Sequence, residues 1–301
     1  MNVKRRRARM IVISTVAALG LAVASLVAAV LAVGPASSRS AAHVTAASKA
    51  ELTAKARLAL TRYLSQGYKP KIQLAKPGGV NASAGARSAS AVASFNWSGY
   101  ADTSTAGAFT GVSAKWRQPA TFCSPEQRLT AFWVGLDGFD NQTVEQLGTL
   151  SYCFEGLPYY FTWWEMFPGG SVTVGSTVQP GDLISASVTR SGTNYTLALH
   201  DFTTPGNSFS TVQSCTTCEN DSAEWIAERP AFPIGVTPLS FFRSWNVRGS
   251  QTSNGVKGSI GSGPNPTSIT MIDATETYPL DSVSGLFGHG SKFVARWLNS
   301  Y

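Results

Sequence analysis

From Phe95 to the C-terminus, apolar residues recur at every second position in short runs separated by Gly, Pro, Asn and Ser. Alternate side chains of a strand point to opposite faces, so each run predicts a strand with one face turned to a core. Asp182–Thr189 sets Ile184, Ala186 and Val188 on one face. Tyr195, Leu197 and Leu199 form a returning face beyond a loop at 190–194, which predicts a hairpin. Val172–Val178, Thr267–Thr275 and Lys292–Leu298 read as further strands. No sustained helical period and no internal repeat interrupts the pattern. The expected fold is all-β: an antiparallel double-sheet β-sandwich over residues 94–301.

The chain ahead of that region has a different character. Lys4, Arg5, Arg6, Arg7 and Arg9 precede an uncharged, almost wholly apolar run at 11–33. A basic stretch before an apolar one is the pattern of an export signal, assigned here to residues 1–40. The run is also long enough to span a bilayer, so an uncleaved membrane anchor is the alternative. The rest of the chain is exported in either case. Ser48 followed by Glu51 is a capping-box spacing. It opens a basic amphipathic helix with Leu52, Ala56, Ala59 and Tyr63 at helical intervals and Gly67 as its stop. Residues 41–93 are read as a basic pro-segment with a Gly-, Ala- and Ser-rich linker from Gly67 onward.

Charge separates the two parts. Residues 1–95 carry 14 Lys and Arg against Glu51 alone, whereas residues 96–301 carry 10 Lys and Arg against 16 acids. The overall +7 is therefore an average over a basic leader and an acidic domain, and it argues for no nucleic-acid partner. The leader's expected partner is the acidic domain of its own chain. Such attraction should weaken as carboxylates protonate, so release of the pro-segment in acid is expected.

All four cysteines lie beyond residue 95, and an exported chain favours two disulfides. Three pairings are open; Cys123 with Cys153 and Cys215 with Cys218 is the expected one. The CxxC of Cys215–Cys218 is also a redox or half-zinc spacing, but no βαβ context or second CxxC accompanies it. The sequence has no G-x-S-x-G, HExxH or phosphate-cradling loop. Of the histidines beyond the leader, His200 sits on a strand and His289 in a Gly-rich loop, and neither marks a triad. Chemistry therefore falls to carboxylates and amides, with no metal or cofactor expected.

Three segments gather such groups: Trp133-Val-Gly-Leu-Asp137 leading to Val144–Gly148, Tyr160–Pro168, and Ala223–Pro230. Strand alternation puts Trp163, Glu165 and Phe167 on one face, and Glu224, Ile226 and Glu228 on one face. Together with Asn96-Trp-Ser-Gly99, these segments resemble the eqolisins, a family of glutamic peptidases. The family's glutamine motif is matched by Val144-Glu-Gln146-Leu-Gly148, and its Trp-x-Glu-x-aromatic-Pro motif by Trp163, Glu165, Phe167 and Pro168. Its glutamate, the second of an Ala-Glu-aromatic-Ile-x-Glu motif, falls on Glu228. Arg229-Pro230 stands where fungal members carry Asp-Phe, and Phe167 stands for the usual tyrosine.

The resemblance implies an exported acid endopeptidase with a concanavalin-like or jelly-roll-like sandwich, acting on unfolded protein or peptides as a monomer. Gln146 and Glu228 would be its catalytic pair, supported in the cleft by Asp137, Trp133, Trp163, Glu165, Phe167 and Glu224. Hydrolysis without a nucleophile or metal needs a base for water, a donor for the oxyanion and an acid for the leaving nitrogen. Glu228 can be base and then acid, and the Gln146 amide can donate to the oxyanion at any pH. Two other readings are a glycoside hydrolase using Glu165 and Glu228, and a non-catalytic carbohydrate-binding sandwich whose tryptophans stack on sugars. Gln146 has no obligatory role in either.

Overall fold

The computed structural model describes residues 46–76, 90–174 and 177–300. The export signal or anchor assigned to residues 1–40 lies outside the described residues. Helix α1 spans Ala46–Leu64, two residues ahead of the expected cap. It ends before Gly67, whose φ of 92° is the left-handed conformation that glycine adopts without strain.

In chain order, the first strands are β1 (Ser90–Ser94), β2 (Trp97–Thr103), β3 (Phe109–Arg117), β4 (Arg128–Leu136), β5 (Val144–Phe154) and β6 (Leu157–Phe167). Then come β7 (Val172–Val174), β8 (Leu183–Ser191), β9 (Asn194–Asp201), β10 (Phe209–Ser214), β11 (Ser222–Glu228), β12 (Ala231–Phe232) and β13 (Gly235–Val236). The last are β14 (Ser244–Ser253), β15 (Val256–Ser259), β16 (Pro266–Met271), β17 (Asp281–Val283) and β18 (Lys292–Trp297). One sheet runs β1-β16-β2-β11-β4-β5-β6-β7, and the other runs β10-β9-β8-β3-β14-β18-β17 with β15 paired to β14. Pairing within the two sheets is antiparallel except for β1, which lies parallel to β16. The double-sheet sandwich is thus the observed fold.

Several expected boundaries shift. The loop at 190–194 contracts to a tight turn, because β8 runs through Ser191 and β9 resumes at Asn194. The strand expected at 267–275 ends at Met271; of the one expected at 172–178, β7 covers Val172–Val174, and residues 175–176 lie outside the described residues. Both expected disulfides form, Cys123–Cys153 and Cys215–Cys218. The linker reading of 67–93 gives way at both ends. Leu74 bridges Ser94, Lys69 bridges Ala231, and β1 completes a sheet edge.

The β11 strand explains how the layers are made. Ala223, Trp225 and Ala227 enter the core between the sheets, where Trp225 Nε1 donates to the Ser113 carbonyl of β3. The alternate residues Glu224, Ile226 and Glu228 face away from that core yet are also buried. A second apolar layer covers them, joining Ile226, Trp97, Trp133, Leu150 and Trp163 of the sheet to Ala56, Leu60 and Ile72 of the leader. The first sheet is therefore buried on both faces, its outer one under residues 46–76. Burying that apolar surface favours docking by about 25 cal/mol per Å².

Candidate active site

The outer face of the first sheet collects the candidate residues. Gly135 on β4 pairs with Glu224 on β11 and with Gln146 on β5, and Gln146 pairs with Glu165 on β6. Four residues further along β11, on the same face, Glu228 stands beside Ala131 of β4. Small residues make room in this array. A Cβ at Gly148 would come 2.0 Å from the Phe132 carbonyl oxygen, so only glycine lets β5 lie this close to β4.

Hydrogen bonds fix the polar groups. Gln146 Nε2 donates to Glu165 Oε2 at 2.7 Å, and Trp133 Nε1 donates to Glu228 Oε2 at 2.9 Å. Trp133 is held edge-on against Trp97 at 4.9 Å between ring centroids. Glu228 Oε1 and Gln146 Oε1 are buried without a hydrogen-bond partner among the described residues. Burial pushes Glu228 well above the ordinary carboxyl range, and the bonds from Tyr68 and Trp133 only partly pull it back. Glu165 is pushed up to about 8 by burial, opposed by the bond from Gln146. Glu165 thus largely holds its proton at neutral pH in this covered state, and burial shifts Glu228 in the same direction.

Of the expected supporting residues, Trp133 and Glu165 bond directly to the pair, and Trp163 and Phe167 stand on the same strand face as Glu165. Trp163 is in the apolar layer and Phe167 packs against it. Glu224 is wholly buried on the same face, and burial raises its pKa strongly. Asp137 is placed differently. With φ of 69° it sits in the turn after β4, and its carboxylate accepts from Asn141 Nδ2, Thr143 Oγ1 and the backbone N–H groups of Glu219 and Asp221. It ties that turn together rather than touching Gln146 or Glu228.

One site residue lies in what reads as linker. The Tyr68 hydroxyl donates to Glu228 Oε2 at 2.9 Å, and the same phenol interacts with Glu165 and Gln146. The backbone around it is anchored along the cleft. Lys69 N donates to Ala231 O, Trp97 Nε1 to Pro70 O, and Asn96 Nδ2 to Lys71 O, while Gln73 N donates to Asn96 Oδ1. Arg57 of α1 stands over the Phe161 ring at 5.4 Å. Beside Tyr68 an open pocket of about 520 Å³ is lined by Leu64, Glu165, Phe167, Ser171 and Thr173 among others. Gly67-Tyr68-Lys69-Pro70 carried a signal, an aromatic residue in an otherwise small and charged stretch, but nothing in its periodicity ties it to Glu228.

The Peptidase A4 family model matches residues 95–284. Two solved structures share the fold. Scytalido-glutamic peptidase with a transition-state analogue inhibitor is 24% identical with a TM-score of 0.57, over 67% of this chain and 98% of that one. SCP-B, an eqolisin in complex with the tripeptide Ala-Ile-His, is 22% identical with a TM-score of 0.54 over the same shares. Among curated proteins none matches in sequence.

Proposed function

Because the chain belongs to the Peptidase A4 family of eqolisin-type glutamic peptidases, we propose that it is an exported acid endopeptidase made in latent form. Glu228 and Gln146 act on the scissile bond, and residues 46–76 cover them until they are cut away. Peptidase membership leaves the glycosidase and lectin readings without support. The observation that carries the proposal is the bond from the leader's own Tyr68 to Glu228, which Trp133 also holds, on the same sheet face as the Gln146–Glu165 pair.

Glu228, once open to water, takes the proton from the attacking water and returns it to the leaving nitrogen. An amide nitrogen carries two hydrogens. Gln146 can therefore keep its bond to Glu165 while offering a second N–H to the developing oxyanion. Glu165 holds that amide in orientation, and Trp133 holds Glu228. No metal or cofactor enters the scheme. The substrate is an unfolded segment able to replace residues 68–76 along the cleft.

Acid alone does not free the cleft in this reading. The anchoring bonds around Tyr68 are mainly to backbone and amide groups. Glu228 has a higher pKa when covered than when exposed, so protonation favours the covered state and that preference is lost as pH rises. This opposes the release expected from leader and domain charge, which is screened over about 8 Å at physiological salt. Cutting the chain between Lys76 and Ser90 is the proposed route, because it removes Tyr68 and keeps β1.

The test is a time course after the secreted chain is moved from neutral pH to about pH 4. Casein hydrolysis should appear only as the N-terminus moves past Lys76, and Tyr68→Ala should shorten the lag. Full activity at the outset, with Tyr68 still attached, overturns the latent reading.

A further inference from the structure

Among the groups the catalytic scheme leaves unused, one buried acid and one disulfide lie close together. Glu145 precedes Gln146 on β5, so its side chain points the opposite way, into the layer between the sheets. It is fully buried, and both carboxyl oxygens lack a hydrogen-bond partner among the described residues. A carboxyl oxygen of Glu145 and the sulfurs of Cys215 and Cys218 all lie within 4.8 Å of one another. The two cysteines follow β10 and are both half-buried, whereas the other disulfide has one half-buried sulfur residue, Cys123, and one wholly buried, Cys153. The CxxC bridge is therefore reachable from solvent on one side and backed by a carboxyl group on the other.

We propose that Cys215–Cys218 is a thiol–disulfide exchange site for low-molecular-weight thiols, with Glu145 as the buried acid that protonates the departing sulfur. A thiolate from solvent attacks one sulfur, forming a mixed disulfide and breaking the Cys215–Cys218 bond. The bonding pair leaves on the other sulfur, which takes the Glu145 proton and leaves a carboxylate. A second thiolate attacks the mixed disulfide, releasing the external disulfide and the second cysteine. Protons from solvent restore that thiol and Glu145. Two thiols are oxidised and one protein disulfide is reduced. In the reverse direction the Glu145 carboxylate takes the proton from the attacking cysteine.

Departure of a sulfur is fastest when its negative charge is relieved, and a placed acid relieves it at the moment of bond breaking. Burial keeps Glu145 protonated beyond the ordinary range. Asp137 from the turn after β4 and Asp221 from the segment before β11 add to that, and Arg190 of β8 opposes it. Glu224 of β11 and Tyr195 of β9 complete the titratable surroundings. The site also borders the catalytic sheet. The loop that follows Cys218 supplies the Glu219 and Asp221 N–H groups that bind Asp137.

The experiment treats the full secreted chain with dithiothreitol between about pH 5.5 and 9, traps free thiols by alkylation and follows each disulfide by mass spectrometry. Rates are divided by the reductant's thiolate concentration. Cys215–Cys218 should open while Cys123–Cys153 stays closed. Its corrected rate should fall about tenfold or more across the range, and that fall should vanish in Glu145→Gln. Equal opening of both disulfides overturns the proposal, as does a flat wild-type profile or a Glu145→Gln profile matching wild type. Should Glu145→Gln not fold, the order of opening and the wild-type profile still decide.

Discussion

The melting temperature of the intact chain should rise as pH falls from about 7.5 to 4, by on the order of 10 °C. The reason is a set of buried carboxyl groups that the fold keeps neutral. Burial pushes Asp281 up to about 7 and Glu165 up to about 8, and it raises Glu145, Glu224 and Glu228 strongly. A pKa raised on folding means that the folded chain binds protons more tightly than the unfolded one. That contribution is fully present below the unfolded value of about 4 and is lost as pH climbs through the folded values. Each such group contributes up to about 1.4 kcal/mol per pH unit within that window.

Asp273 acts in the other direction. Burial pushes it up, but bonds from Thr275, Thr277 and Tyr278 hold it down to about 2. Its contribution is therefore lost only as pH falls toward that value, so the optimum lies in mild acid. Calorimetry on the Glu228→Gln chain, which should not process itself, is the check. A melting temperature that is level or higher at pH 7.5 would contradict this ordering.

Gln146→Ala should lower kcat about 100- to 1,000-fold and leave KM nearly unchanged, the cost of removing one oxyanion donor. Gln146 is buried and its nitrogen is committed to Glu165 at 2.7 Å, so the amide approaches the reaction already oriented. Preorganised donors of this kind act more strongly on the transition state than on the bound substrate. Glu165→Gln should cost less, because an amide at that position can still accept from Gln146. Steady-state kinetics on a peptide substrate separates the two. A Gln146→Ala enzyme within about tenfold of wild type in kcat would remove the glutamine from its role.

The sandwich was legible because period two survives wherever one strand face meets the core. Ile184, Ala186 and Val188 on β8 follow it residue by residue. The strand positions of Gln146, Glu165, Glu224 and Glu228 were legible from the same alternation together with the motif order. Depth was not. An acid between aromatic residues on a strand ordinarily faces water, yet these acids are buried, since a second layer arrives from far upstream. Tyr68 lies 160 positions from Glu228. No local pattern encodes a contact at that separation, and the Gly-, Ala- and Ser-rich composition from Gly67 onward suggested a linker. Asp137 was misplaced for a related reason. Its neighbourhood to Trp133 is sequential, but its left-handed backbone turns the carboxylate toward the 219–221 loop.

The most direct measurement compares casein hydrolysis at about pH 2–5 by wild-type and Glu228→Gln chains, both trimmed to begin between Lys76 and Ser90. The substitution keeps size and shape, so the trimmed variant should fold as the wild type does. With Glu228 as the base for water, the variant should lose activity by about 1,000-fold or more. Hydrolysis by trimmed Glu228→Gln at the wild-type rate would contradict the account.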